Sequence, residues 1–173
     1  IVLNRARPDL DKQEVHKIVR GVSRRADIAY ESPDGDVVYD DIEDPLPFDL
    51  EAPVVEIQDQ DYAVWYRDIS EETKKYGGKT LRFKGMVVCS PKLPKNTFLC
   101  GRYLMTCCEA DIAYTGLACQ WAKADALQSK SWVTVTATVA IKFSSVYGKR
   151  GPVLQVQSVE PAQPPAQEVA TFY

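Results

Sequence analysis

The chain has 173 residues and is 45% hydrophobic, which is enough for one ordinary core with a less structured flank. Its formal net charge of -3 gives no overall attraction to a phosphate backbone, so a nucleic-acid partner is disfavoured. With His16 as the single histidine, and no paired acid and base or phosphate loop, we predict that the chain is not an enzyme.

Residues 1–52 are predicted to form a charged linker or weakly ordered flank, because basic residues crowd the first half, acidic residues crowd the second, and neither half has a long apolar period. One short helix is predicted over residues 11–22, where valines and an isoleucine gather on one helical face. The string Ser-Pro-Asp-Gly at residues 32–35 predicts a turn.

An OB-like domain is predicted over residues 53–160, opening with a short strand around Val55 and a helix after it. Four apolar side chains of this helix recur at i, i+3, i+4 and i+7, on one face: Tyr62, Trp65, Tyr66 and Ile69. This face either covers the end of a sheet or docks on a partner. Tyr62 and Trp65 are therefore candidate binding residues.

From residue 80 the apolar period changes from 3.6 to 2, which predicts β-strands over residues 80–89, 97–107, 116–121, 132–142 and 153–159. A short helix or turn is predicted over residues 122–129, and Gly85 is predicted to let the first strand bend. This pattern predicts a mainly β fold, an OB-type five-stranded partly open barrel with a preceding α-helix. The proline-rich residues 161–173 are predicted to form an extended C-terminal tail.

Five cysteines fall within about 30 residues, and their odd number leaves at least one unpaired in a monomer: Cys89, Cys100, Cys107, Cys108 and Cys119. Disulfides, a metal site and free thiols are all compatible with this spacing, because the redox compartment is not given by the sequence.

The most unusual string places Cys107 next to Cys108 and three residues ahead of Asp111. Neighbouring residues of a strand face opposite ways, so both thiols can reach one ion only if the strand ends or bulges there. A turn at this point would bring together a candidate metal-ligand set suited to Zn²⁺: Cys107, Cys108, Asp111 and Cys119. The alternative interpretation is that these cysteines are small buried side chains, which the lack of a C-x-x-C motif favours.

A second group of candidate binding residues is Arg102 and Tyr103. With the basic residues Arg82 and Lys84 they form a thin version of the basic and aromatic face that binds single-stranded nucleic acid. An OB-type module for oligonucleotides or a small ligand is therefore the alternative function.

Several short strings are distinctive as a group: Tyr76-Gly77-Gly78-Lys79, Phe83-Lys84-Gly85, Gly101-Arg102, Met105-Thr106-Cys107-Cys108, Ala110-Asp111, Gly116 with Cys119, and Trp132-Val133. In these strings the chain resembles the YcgQ-type permease subunit family of bacteria, whose members have membrane helices followed by a soluble C-terminal domain without a known activity. The resemblance implies an accessory domain of a transport system with a membrane permease subunit as its partner. It also implies a cell-membrane location, through an N-terminal anchor outside this sequence. We predict that the soluble domain lies on the extracytoplasmic side.

Overall fold

The computed structural model describes residues 29–31, 37–39 and 45–172. The secondary structure consists of one α-helix and nine strands in the order β1 (Ala29–Glu31), β2 (Val37–Tyr39), β3 (Val55–Glu56), α1 (Tyr62–Glu71), β4 (Thr80–Val88), β5 (Thr97–Leu104), β6 (Ala113–Gln120), β7 (Trp132–Ser144), β8 (Lys149–Pro161) and β9 (Val169–Ala170) within these residues. The predicted helix over residues 11–22 and the predicted turn over residues 32–35 lie outside them. Strands β1 and β2, which come before and after these residues in the chain, pair antiparallel.

Seven strands form one sheet in the order β3-β4-β7-β8-β6-β5-β9, and β4 also pairs with β5. Through this additional pairing, five of the strands close partly into a ring: β4, β5, β6, β8 and β7. The contact between β6 and β8 is parallel, whereas the other ring contacts are antiparallel. The prediction of a mainly β fold, with a helix ahead of a partly open arrangement of five strands, is confirmed.

Strand β4 closes the ring because it pairs with both β7 and β5. The two pairings meet at Met86, which pairs with Trp132 of β7 and with Gly101 of β5. Gly85 comes just before this change, as the sequence predicts for a bend. A Cβ atom on Gly85 would lie 2.7 Å from the Sγ atom of Cys100. A side chain at this position would therefore prevent β4 from approaching β5.

The main core fills the interior of the ring, and α1 packs against it. Along β7 every second side chain is buried: Val133, Val135, Ala137 and Val139. The threonines between them are only partly covered. The predicted helical face is fully engaged, since Trp65 packs against Phe83 of β4 with ring centroids 4.7 Å apart. This burial explains why α1 forms at all, because a helix of this length gains little from backbone hydrogen bonds alone.

Residues on both flanks of the predicted domain pack against the same core. Phe48 is buried on the N-terminal side. On the C-terminal side, β9 lies parallel to the end of β5, and the backbone N–H of Met105 donates to the carbonyl of Ala170 at 3.0 Å. The end of the proline-rich tail is therefore part of the sheet. Across the described segments, no helix has the length and apolar character needed to cross a lipid bilayer.

Candidate metal centre

The cysteine string lies in the connection between β5 and β6. Strand β5 ends at Leu104, three residues earlier than predicted, and a short 3₁₀ turn over Glu109–Asp111 precedes β6. Cys108 has an extended backbone with φ −155° and caps this turn. Because the strand has already ended, Cys107 and Cys108 escape the alternation that would direct their side chains to opposite faces.

The connection winds around the carboxylate of Asp111. Its Oδ1 atom accepts the backbone N–H of Thr106 at 3.0 Å, and its Oδ2 atom accepts the Thr106 hydroxyl at 2.6 Å. The same Oδ2 atom accepts the backbone N–H of Cys107 at 2.8 Å. Thr106 was part of the distinctive string, but its role as a donor to Asp111 was not predicted, because a sequence does not show which hydroxyl turns toward a carboxylate.

Three potential ligand atoms from Cys107, Cys108 and Asp111 lie within 4.8 Å of one another. The two sulfur atoms are 3.8 Å apart. Two thiolates bound to one tetrahedral Zn²⁺ at about 2.3 Å have nearly the same separation, about 3.8 Å. Both cysteines are exposed, so an ion at this position would have access to water or to a fourth ligand from another molecule.

Protons are distributed unequally in this cluster. The Cys107 thiol donates to Oδ2 of Asp111 at 2.8 Å, and this hydrogen bond raises the pKa of Cys107 to about 11. The same hydrogen bond is the main cause that holds the pKa of Asp111 well below its usual range. At neutral pH the cluster therefore contains an ionised carboxylate beside a protonated thiol, and a metal ion would have to replace that proton.

The inclusion of Cys119 in the ligand set was wrong. Cys119 is buried inside the ring on β6, opposite Phe98 of β5, whereas the β5–β6 connection lies at the other end of this strand pair, next to Leu104 and Ala113. Cys119 lies six residue steps along β6 from Ala113, which corresponds to about 20 Å. Burial raises the pKa of the Cys119 thiol, as it does for Cys100, so both behave as small apolar side chains.

Arg102 lies where the edge of β5 changes partner. Gly101, just before it, pairs with β4, and Tyr103, just after it, pairs with β9. Neither strand reaches the backbone N–H of Arg102, which instead donates to the hydroxyl of Tyr62 at 3.2 Å. That hydroxyl donates in turn to the carbonyl of Thr115 on β6 at 2.6 Å. Tyr62 therefore takes the place of a missing strand partner.

The Arg102 side chain is only 2% exposed. Its Nη1 donates to the carbonyl of Asp59 at 2.5 Å, its Nη2 donates to the carbonyl of Gln167, and its guanidinium lies 5.5 Å from the ring centroid of Tyr62. Burial is the main cause that lowers the pKa of Arg102. Arg102 thus joins β5 to the segment before α1 and to the C-terminal segment.

The other candidate binding residues are not displayed on an open face. Trp65 is fully buried in the core, and Tyr62 is 1% exposed. Tyr103 is partly covered and makes an edge contact with Tyr114 at a centroid distance of 5.7 Å. The candidate residues therefore separate into an exposed sulfur and carboxylate cluster and a buried group around Arg102.

A cavity of about 360 Å³ borders Arg102, between the turn before α1 and the C-terminal segment. A second cavity of about 430 Å³ lies beside Cys89 and the loop that precedes β5. Neither cavity includes Cys107, Cys108 or Asp111. The exposed cluster and the Arg102 cavity are therefore separate sites.

One family model, described as the DUF1980 C-terminal domain, matches residues 39–170. This match covers the whole ring, α1 and the cysteine string. Comparisons with curated proteins and with solved structures give no match.

Proposed function

The chain belongs to the DUF1980 C-terminal domain family, and from this premise we propose that it is a binding domain that holds a Zn²⁺-like ion through Cys107, Cys108 and Asp111. The domain acts as an accessory part of a membrane permease system. The observation that carries the metal proposal is the convergence of two thiols and one carboxylate within 4.8 Å on an exposed connection.

The chemistry of the cluster favours a soft or borderline ion. Thiolate ligands select Zn²⁺ and Cu⁺ over Mg²⁺ and Ca²⁺, which prefer oxygen. Oδ2 of Asp111 lies 2.8 Å from the Cys107 sulfur, closer than the roughly 3.5 Å expected for a sulfur and an oxygen on one tetrahedral ion. Metal binding therefore replaces this hydrogen bond and widens the contact.

Three protein ligands leave one position of a tetrahedral ion open. In catalytic sites such a position takes water or substrate, whereas a carrier site can pass its ion to a second protein that completes the coordination. Exposure of Cys107 and Cys108 fits transfer to a partner. The role of this domain is accordingly to present the ion to its permease.

Isothermal titration with Zn²⁺ in two buffers of different ionisation enthalpy tests the metal proposal. We expect one site per chain, with proton release that differs in heat between the buffers because thiols must deprotonate. Cys108→Ser and Asp111→Asn should weaken binding at least about tenfold, whereas Cys89→Ser, which changes a thiol outside the cluster, should bind like the wild type. The absence of a tight site, or wild-type binding by Cys108→Ser, would rule the metal proposal out.

The resemblance to the YcgQ-type family supports the permease partner and the membrane location, and the extracytoplasmic side is part of the proposal. Cysteine exposure offers a direct test of location, since Cys107 and Cys108 are exposed while Cys100 and Cys119 are buried. In intact cells that make the membrane-anchored protein with Cys89→Ser, which removes the partly exposed third thiol, a membrane-impermeant maleimide should label Cys107 and Cys108 and should fail to label a variant that also carries Cys107→Ser and Cys108→Ser. Labelling only after cell lysis would place the domain in the cytoplasm. Co-purification of the permease subunit from detergent then tests the partner.

The alternative, an oligonucleotide-binding module, has less support. Of the basic residues on which it rests, Arg102 is buried and Lys84 forms an ion pair with Asp59 at 3.1 Å. Arg82 forms a further ion pair with Glu160 at 3.6 Å. A face with few unpaired cations has little counterion release to offer a nucleic acid.

A further inference from the structure

The guanidinium of Arg102 is buried without a carboxylate partner. Within residues 45–172, no ion pair joins Arg102 to an acidic side chain, and its two hydrogen-bond acceptors are the carbonyls of Asp59 and Gln167. Its Nε atom is buried with no hydrogen-bond partner. A guanidinium has five N–H donors, so three are left over. Arginine is rarely buried to this degree unless an anion balances it.

The surroundings of Arg102 leave room for such an anion. The adjoining cavity of about 360 Å³ is within the size range of small-ligand sites. Its walls come from the turn at Asp59 and Gln60 and from the C-terminal segment, including Gln167 and Thr171. The cavity lies beside Arg102, the residue of β5 between the last one that pairs with β4 and the first one that pairs with β9.

Two acidic side chains limit how positive this cavity is. The carboxylates of Asp59 and Glu168 act on Arg102 through space. Asp59, however, is already paired with Lys84 at 3.1 Å. The positive charge of the Arg102 guanidinium is therefore only partly balanced by these two carboxylates.

We infer that the cavity beside Arg102 binds a small oxyanion, a carboxylate or a phosphate group, which accepts hydrogen bonds from the spare guanidinium N–H groups. Arginine suits such groups because its planar donors match two oxygen atoms of one anion. The anion links the turn before α1, strand β5 and the C-terminal segment around Gln167. Arg102 lies on β5 and already donates hydrogen bonds to the other two. This site is independent of the metal proposal because it shares no residue with the cysteine cluster.

Nuclear magnetic resonance titration of metal-free protein at constant ionic strength tests this inference, with inorganic phosphate and succinate as separate probes and chloride as the balancing ion. We expect saturable shifts of the Arg102 Nε–H signal and of the Gln167 and Thr171 amides with at least one probe. A preference for phosphate or for succinate identifies which oxyanion geometry the cavity takes. No saturable shift with either probe overturns the inference.

Variants separate site binding from general charge effects. Gln60→Glu adds a negative charge to the exposed rim of the cavity and should weaken binding about tenfold. The same change at Gln128, on the β6–β7 connection away from the cavity, should leave binding unchanged. Arg102→Gln should abolish anion binding. If the Arg102→Gln variant does not fold, the Gln60→Glu variant still tests the inference. Equal binding by wild type and Gln60→Glu overturns the inference.

Discussion

At the scale of single residues, Asp111 has the greatest influence on the β5–β6 connection. One carboxylate accepts the backbone N–H groups of Thr106 and Cys107 and the side chains of both residues. The same carboxylate favours the protonated form of Cys107, mainly because it accepts the hydrogen bond of the thiol and also because its charge would repel a thiolate. Local backbone geometry and thiol reactivity are thus controlled by the same side chain.

Asp111→Asn should lower the pKa of Cys107 from about 11 toward the ordinary thiol value, mainly because the thiol loses its hydrogen bond to the carboxylate and also because a neutral amide does not repel a thiolate. At a pH between these two values the thiolate fraction rises, so alkylation of Cys107 by iodoacetamide should become roughly tenfold faster or more. The measurement is the pH profile of the alkylation rate in a Cys89→Ser/Cys108→Ser background, which leaves Cys107 as the reactive thiol.

Glu109→Gln is the matched control, because it also removes an acidic charge from the 3₁₀ turn but Glu109 makes no hydrogen bond to Cys107. Its alkylation profile should stay close to that of the parent. If both variants shift the profile equally, general charge rather than the Asp111 hydrogen bond controls Cys107.

Gly101 is a second residue whose identity is dictated by contact distance. It faces Gly116 across the β5–β6 pair, and a Cβ atom on it would lie 1.7 Å from the carbonyl oxygen of Thr115. Gly101→Ala should lower the free energy of unfolding by about 3 kcal/mol or more, since backbone must move to relieve the overlap. Chemical denaturation measures this loss.

Gly77→Ala provides the comparison. The nearest atom to its added Cβ would be the Cδ1 atom of Ile141 at 3.1 Å, at the flexible end of a side chain. Gly77→Ala should therefore cost much less than Gly101→Ala. Similar losses would show that the close approach of β5 to β6 is not what excludes a side chain at Gly101.

At the scale of elements, β7 displays the alternation that its sequence predicts. Val135 is fully buried, whereas its neighbour Thr136 on the opposite face is partly covered. Val135→Asp should cost several kcal/mol, because a carboxylate would be placed in the core without a partner. Thr136→Asp should cost about 1 kcal/mol or less. Equal losses in thermal or chemical unfolding would mean that both faces of β7 are covered.

An element could be predicted where the residues that determine it are close together in the chain, and not where they are far apart. The face of α1 and the alternation of β7 follow from periodic spacing, and both are confirmed. The partner of Tyr62 could not be predicted, because it is a backbone N–H 40 residues away that two other strands fail to reach. The Cys119 prediction failed for a related reason, since sequence proximity to Cys108 does not show how far β6 carries it away.

The end of β5 was predicted three residues too late, for a different physical reason. Residues 105–107 are compatible with a strand by composition, but their backbone groups are satisfied by Asp111 and by Ala170 instead of a neighbouring ring strand. The three cluster residues were nevertheless placed together in the candidate ligand set, on the condition that the chain turns after Cys107 and Cys108, and the 3₁₀ turn over Glu109–Asp111 meets that condition. A competing side-chain acceptor is enough to end a strand early.

At the scale of the whole molecule, the strand pairs that form the ring differ in how many residues they pair. The β7–β8 pair runs from Val133 and Pro161 to Ser144 and Lys149, whereas the β4–β5 and β6–β8 pairs have three residue pairs each. Hydrogen exchange should therefore be slowest in β7, which has partners on both sides, and faster at the two short closures. Mass spectrometry of exchanged peptides checks this order. Exchange across Trp132–Ser144 as fast as in β9 would contradict it.

The position of β9 has a consequence for self-association. An exposed strand edge is a template for pairing with another chain, and β9 occupies the end of the β5 edge that β4 leaves free. Although β9 pairs through only two residues, the segment is also held by the burial of Ala170 in the core and by the hydrogen bond from Arg102 to the carbonyl of Gln167. Removal of the C-terminal segment would therefore leave the end of the β5 edge unpaired and open to pairing with another chain.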